Sequence, residues 1–150
     1  MQQDNGDKFE DQRNTARQPS GLLVSLALFA SDDDERVAEP VSAIVRDVSR
    51  HGAGLLLKQA ISDQHHLFYE PLDHKCRLVL EFEIEQDLLA IPVQPVWFRL
   101  DEDEHSGYFR MGIEFRLPTD NGQVKRLEKQ AKASLGQGQG WLAGLLEKLV

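Results

Sequence analysis

Cysteine is nearly absent. Cys76 stands alone in 150 residues, which excludes an internal disulfide framework and fits a reducing compartment, so a cytoplasmic location is expected. Long hydrophobic runs are missing as well: no apolar stretch approaches the ~20 residues a helix needs to span a bilayer, and membrane insertion is not expected. Met1 to Gln18 is polar and acidic, with Phe9 its one large apolar side chain, and so lacks the apolar segment of a secretory signal. Positive charge is in deficit, with 17 Lys and Arg against 25 Asp and Glu and a net charge of −8. A protein that tracks DNA or RNA phosphates needs a basic surface, so neither is an expected partner. An anionic ligand would have to be caught by a local cluster of arginines, not by the overall field. Internal repeats and low-complexity domains are also lacking.

What is present suits one domain with tails. Residues 1–18 form a polar arm, expected to be mobile, that carries Arg13 and Arg17. Pro19 marks the entry to a folded unit over residues 19–135. Strands are predicted at Gly21–Phe29, Val41–Ser49, Ala53–Lys58, Cys76–Glu85, Leu89–Leu100 and Gly107–Leu117. The clearest is Cys76–Glu85, where Cys76, Leu78, Leu80, Phe82 and Ile84 face one side and Arg77, Glu81, Glu83 and Glu85 the other. Pro92 and Pro95 imply an edge or a bulge in the next strand. Ala60–Lys75 has no period and reads as a long connection. Asp120 with Gln123 makes a capping-box pattern before a helix whose apolar face is Val124, Leu127 and Ala131. Residues 136–150 add a glycine-rich link, Gly136 to Gly140, and a short amphipathic helix with Trp141, Leu142, Leu145, Leu146 and Leu149 on its stripe. Antiparallel strands followed by helices point to a small β-barrel with a helical cap.

The chain's centre is Asp47-Val48-Ser49-Arg50-His51-Gly52. On an extended chain Asp47 and Ser49 point the same way, and Gly52 can take a positive φ that reverses the chain. The corner presents a carboxylate, a hydroxyl, the Arg50 guanidinium and the His51 imidazole; the alternative is a turn that satisfies its own backbone. Arg13 and Arg17 offer two planar forks for phosphates and for guanine edges, or else only solubilise the arm. Trp97 and Arg99 fall on the strand face opposite Phe98, where the indole is a stacking platform for a base or packs against a terminal helix. His65, His66, His74 and Cys76 match no standard zinc spacing, and no metal is expected. His51 beside Asp47 and Ser49 invites a hydrolase reading, but neighbours on one hairpin do not build a nucleophile–base–orienter geometry, and no nucleophile elbow is present.

Taken together, Arg13-x-x-x-Arg17, then Asp47-x-Ser49-x-x-Gly52, then Pro95-Val96-Trp97-Phe98-Arg99 and Gly107-Tyr108-Phe109-Arg110-Met111-Gly112-Ile113-Glu114-Phe115 resemble the PilZ domain family over roughly Gln12 to Leu135. The resemblance implies a mostly β fold: a six-stranded antiparallel barrel with a C-terminal helix, here followed by a short second terminal helix. It implies a receptor, not an enzyme, with no catalytic cofactor and with the second messenger cyclic di-GMP as ligand. Arg13 and Arg17 would grip the ligand from the arm, Asp47 and Ser49 would contact a guanine, Gly52 would permit the turn, and Trp97 would lie nearby. Arg50 joins this set on charge grounds. Gln12 stands where many members carry an arginine, and one or two ligand molecules both remain open. A downstream effector protein is the expected partner, in motility, exopolysaccharide or biofilm control, with the chain a monomer or homodimer. The alternative is a family adaptor that binds a protein without nucleotide.

Overall fold

The computed structural model describes residues 21–101 and 107–138. The arm with Arg13 and Arg17 and the stripe from Trp141 to Leu149 lie outside the described residues. In chain order the elements are β1 (Leu22–Ala30), β2 (Val41–Val48), β3 (Gly52–Leu57), β4 (Ile61–Ser62), β5 (His65–His66), α1 (Tyr69–Leu72), β6 (Cys76–Ile84), β7 (Asp87–Leu100), β8 (Phe109–Phe115) and α2 (Gly122–Gly138). Strands β1, β2, β3, β8, β7 and β6 close into an antiparallel barrel, β6 returning to pair with β1. Closure leaves the barrel without an edge strand, so Pro92 and Pro95 sit in paired positions and the irregularity they foretold is a bulge.

Alternation fills the barrel. Leu26, Val45, Leu55, Leu80, Ile91 and Met111 are fully buried inside it. Each fully buried side chain of this size stabilises by about 1.5–3 kcal/mol relative to exposure. Two plugs close the ends. At one, Val124, Leu127 and Ala131 of α2 enter the core, as the apolar face predicted. The cap differs from expectation: Asn121, not Asp120, accepts from the backbone N–H of Gln123 and Val124 at 2.8 and 3.4 Å. Asn121 directly precedes the first helical residue, where a side-chain oxygen reaches those donors. Gln123, freed from a capping box, accepts from the Ala90 N–H at 2.9 Å and ties α2 to β7. No helix among the described residues is long and apolar enough to cross a membrane.

The other plug comes from Ala60–Lys75, which is not the plain connection that was expected. Asp63 and Gln64 both take positive φ, 50° and 70°, and turn β4 back onto β5; Leu67 and Phe68 then enter the core. Phe68 stacks on Phe98, and Phe98 on Phe109. His66 Nδ1 accepts from the N–H groups of Phe68 and Tyr69 at 3.1 and 3.3 Å, so that nitrogen carries no proton.

This excursion is expected to respond to pH. Burial holds the His66 imidazole below its ordinary 6.5, with Glu70 opposing. Burial alone would raise the Glu70 carboxyl, but hydrogen bonds from His65, the His66 N–H and Cys76 bring it below its usual value. Burial, then Glu70, lift the Cys76 thiol above 9.0. A lowered histidine or carboxylate stabilises above its unfolded value and loses that as pH falls; a raised thiol stabilises below 9.0 and loses it as pH rises. Amide protection at Leu67 and Tyr69, corrected for intrinsic exchange, is therefore expected to be greatest between pH 6.5 and 9.0 and to fall on both sides. A flat profile would contradict this.

Candidate functional site

In β2, Val41, Ala43 and Val45 point into the barrel. Strict alternation would send Asp47 in after them, where an unpaired carboxylate is prohibitively costly. The register with β3 instead shifts between Val45 and Asp47. Arg46 is the extra residue of a bulge, Asp47 turns outward, and Val48 packs against the core. The same device operates in β7. Leu89, Ile91 and Val93 point inward, the register shifts between Pro95 and Trp97, and Val96 is pushed into solvent. Trp97 then faces outward while Phe98 packs against the core. Two bulges thus re-aim the two side chains that sequence singled out.

They end in one row. Asp47 pairs with Gly54, Gly54 with Gly112, and Gly112 with Trp97. A Cβ on Gly54 would lie 2.6 Å from Asp47 Oδ2, and one on Gly112 only 2.2 Å from Trp97 Nε1. The carboxylate and the indole therefore lie down over two bare backbone positions. The result is a shallow groove of ≈ 350 Å³ on the outside of the barrel, lined also by Ser49, His51, Gly52 and Val96. Trp97 is 40% exposed, so its ring is available to a ligand. Sequence reasoning missed Gly54 and Gly112 as site residues, although glycine inside a strand signals close approach.

Two arginines flank this row, while the carboxylates of Asp47 and Glu114 line the groove itself. Arg99 lies 5.1 Å from the Trp97 ring centroid. Arg110 Nη2 is 3.7 Å from Asp47 Oδ2, an exposed pair worth about 0–1 kcal/mol. The buried Arg110 Nε has no hydrogen-bond partner among the described residues.

The remaining corner residues divide. Ser49 Oγ accepts from the His51 N–H at 3.1 Å, and the Ser49 N–H donates to Gly52 O at 2.9 Å. The turn does satisfy its own backbone, and Ser49 keeps a hydroxyl proton to donate. Arg50 Nε reaches toward Glu128 of α2, 3.9 Å away, and is not among the groove's lining. Gly52 differs from expectation. It does not take positive φ; among the described glycines only Gly21 and Gly107 do. A Cβ there would stand 2.1 Å from Ile113 O, so glycine is required by the close approach of β8, not by the reversal.

Of the four residues weighed as metal donors, only His65 and Cys76 come together, and the third member of their group is Glu70.

The chain is thus a closed six-stranded barrel with a filled core and a shallow groove on its outer wall beside the β2–β3 hairpin. Residues 11–133 match the PilZ domain family model, and the chain belongs to that family. Among solved structures it is similar to the PilZ domain with c-di-GMP of YcgR from Escherichia coli, at 13% identity and a TM-score of 0.47, covering 85% of this chain and 98% of that one. It is also similar to the PlzA protein of Borreliella burgdorferi in complex with c-di-GMP, at 11% identity and a TM-score of 0.46, covering 89% of this chain and 58% of that one. No curated protein matches the sequence.

Proposed function

We propose that the chain is a cyclic di-GMP receptor that changes conformation on binding and signals to a partner protein. Family membership supports the ligand class. The observation that carries the reading to named residues is the row Asp47–Gly54–Gly112–Trp97, an outward carboxylate and indole on a glycine floor. The ligand is a compact dianion with two flat guanines. Asp47 accepts from a guanine's N–H edge, Ser49 hydrogen-bonds beside it, and Trp97 offers a face for stacking. Gly52 keeps β3 close to β8 beneath them, and Arg50 adds charge at the hairpin. Arg13 and Arg17 close over the ligand from the arm with bidentate contacts to guanine and phosphate.

The chemistry is recognition without turnover, in the cytoplasm, with motility, exopolysaccharide synthesis or biofilm formation as the processes controlled. If the arm orders on binding, the entropy lost would lower affinity and the ordering would supply the conformational output. Calorimetric titration tests this. Saturable binding of cyclic di-GMP is expected, and Arg13→Ala or Arg17→Ala should each weaken it by about 1–3 kcal/mol with the melting temperature unchanged. Absence of binding, or arginine variants that bind as the parent does, would overturn the reading and favour an adaptor that works without nucleotide.

A further inference from the structure

At the barrel end opposite α2, three donor atoms of different kinds converge from three elements. His65 Nδ1 of β5 lies 2.7 Å from Glu70 Oε1 of α1. Cys76 Sγ, at the start of β6, lies 3.6 Å from the same oxygen, and all three donors fall within 4.8 Å of one another. We propose that His65, Glu70 and Cys76 form a binding site for a divalent transition metal of the zinc class.

The donor set is the first argument. Thiolate, imidazole and carboxylate are the groups that bind Zn²⁺, and a mixed S/N/O site suits it better than the hard ions Mg²⁺ or Ca²⁺. Spacing is the second. With metal–ligand lengths of about 2.0–2.3 Å, a tetrahedral ion sets its ligand atoms about 3.3–3.6 Å apart. The sulfur–oxygen distance already meets this, and the nitrogen–oxygen pair has only to open by roughly half an ångström.

Orientation is the third argument. The His66 N–H donates to Glu70 Oε2 at 3.0 Å, which fixes the carboxylate with Oε1 turned to the other two donors, as outer-shell partners do at metal sites. His66 itself is committed to the backbone through Nδ1 and is not a ligand. Cys76 is buried, while the His65 side chain is 36% exposed and provides the route in.

Without metal the group is a hydrogen-bonded cluster in which His65 and Cys76 both donate to Glu70. Binding replaces that arrangement. The Cys76 thiol loses its proton to solvent, the His65 proton moves from Nδ1 to Nε2, and the ion takes the place of both hydrogen bonds. One proton leaves per ion bound. Three protein ligands leave a fourth position for water. The ion would clip two-residue strands and a four-residue helix onto β6.

Co²⁺ alone, added to the intact chain after treatment with a chelator, tests the site, because its thiolate complexes absorb in the near ultraviolet. One Co²⁺ per chain is expected, with a sulfur-to-metal band that Zn²⁺ abolishes by displacement. Cys76→Ser should remove the band, and His65→Ala and Glu70→Gln should each weaken affinity at least about tenfold, whereas His74→Ala should leave it unchanged. Zn²⁺ should also raise the melting temperature of the parent and not of His65→Ala, a change at a half-buried side chain that keeps the test valid if Cys76→Ser unfolds. No band, a stoichiometry other than one, or His65→Ala and Glu70→Gln binding as the parent does would each overturn the proposal.

Discussion

Gly52→Ala is expected to unfold much of the stability of the free protein. The new methyl group would meet Ile113 O at 2.1 Å. That oxygen belongs to the backbone of β8, in the barrel wall, and cannot rotate aside. Either β3 separates from β8 or the hairpin between β2 and β3 is displaced. Overpacking of this kind costs on the order of 3 kcal/mol, which for a domain of this size lowers the melting temperature by about 10 °C. Thermal melting of the ligand-free protein measures it. A conformational role for Gly52 predicts differently: with φ outside the left-handed region, alanine would then be tolerated with hardly any change.

Gly112→Ala is expected to do the reverse, sparing the fold and damaging the site. Here the methyl group would meet the Trp97 indole at 2.2 Å, a half-exposed side chain that can swing away. The melting temperature should change by what a surface substitution causes, under about 1 kcal/mol. Affinity for cyclic di-GMP should fall by about 1–3 kcal/mol, the cost of losing one base-stacking platform. A double-mutant cycle identifies the cause. In a Trp97→Ala background the same glycine change should cost almost nothing, because the indole it displaces is already gone. Additive losses from the two substitutions would show that Gly112 acts on the ligand by another route.

These two glycines also mark where sequence reading succeeds and where it stops. The β6 alternation from Cys76 to Ile84 was legible because one face fills the core while the other carries Arg77, Glu81 and Glu83, with Val79 its one apolar residue, and the barrel followed from six strand-like segments separated by turns. The outward placement of Trp97 was legible from Phe98, its inward neighbour, and Pro95 hinted at the bulge. The bulge at Arg46 left no such mark, since Val45-Arg46-Asp47 contains neither proline nor glycine. Gly52 was recognised but given the wrong reason, because a sequence does not say whether glycine serves φ or a neighbouring strand. Strands β4 and β5 were missed for a related cause. A tight hairpin usually carries Asn-Gly or Asp-Gly, and this one turns on Asp63-Gln64 with both residues held at positive φ. Glu70 gave no signal as a partner of His65 and Cys76, since only the fold of that excursion brings the three together.

Cyclic di-GMP held on the outer wall of the barrel, over the row from Asp47 to Trp97, would perturb that row before any other part of the chain. NMR titration of the isotopically labelled chain with cyclic di-GMP reads this residue by residue. The amides of Gly54 and Gly112 and the indole N–H of Trp97, the last assigned by its loss in Trp97→Phe, should shift together and saturate at one common affinity. Shifts confined to β1 and β6 on the far side of the barrel, or none at saturating ligand, would contradict it.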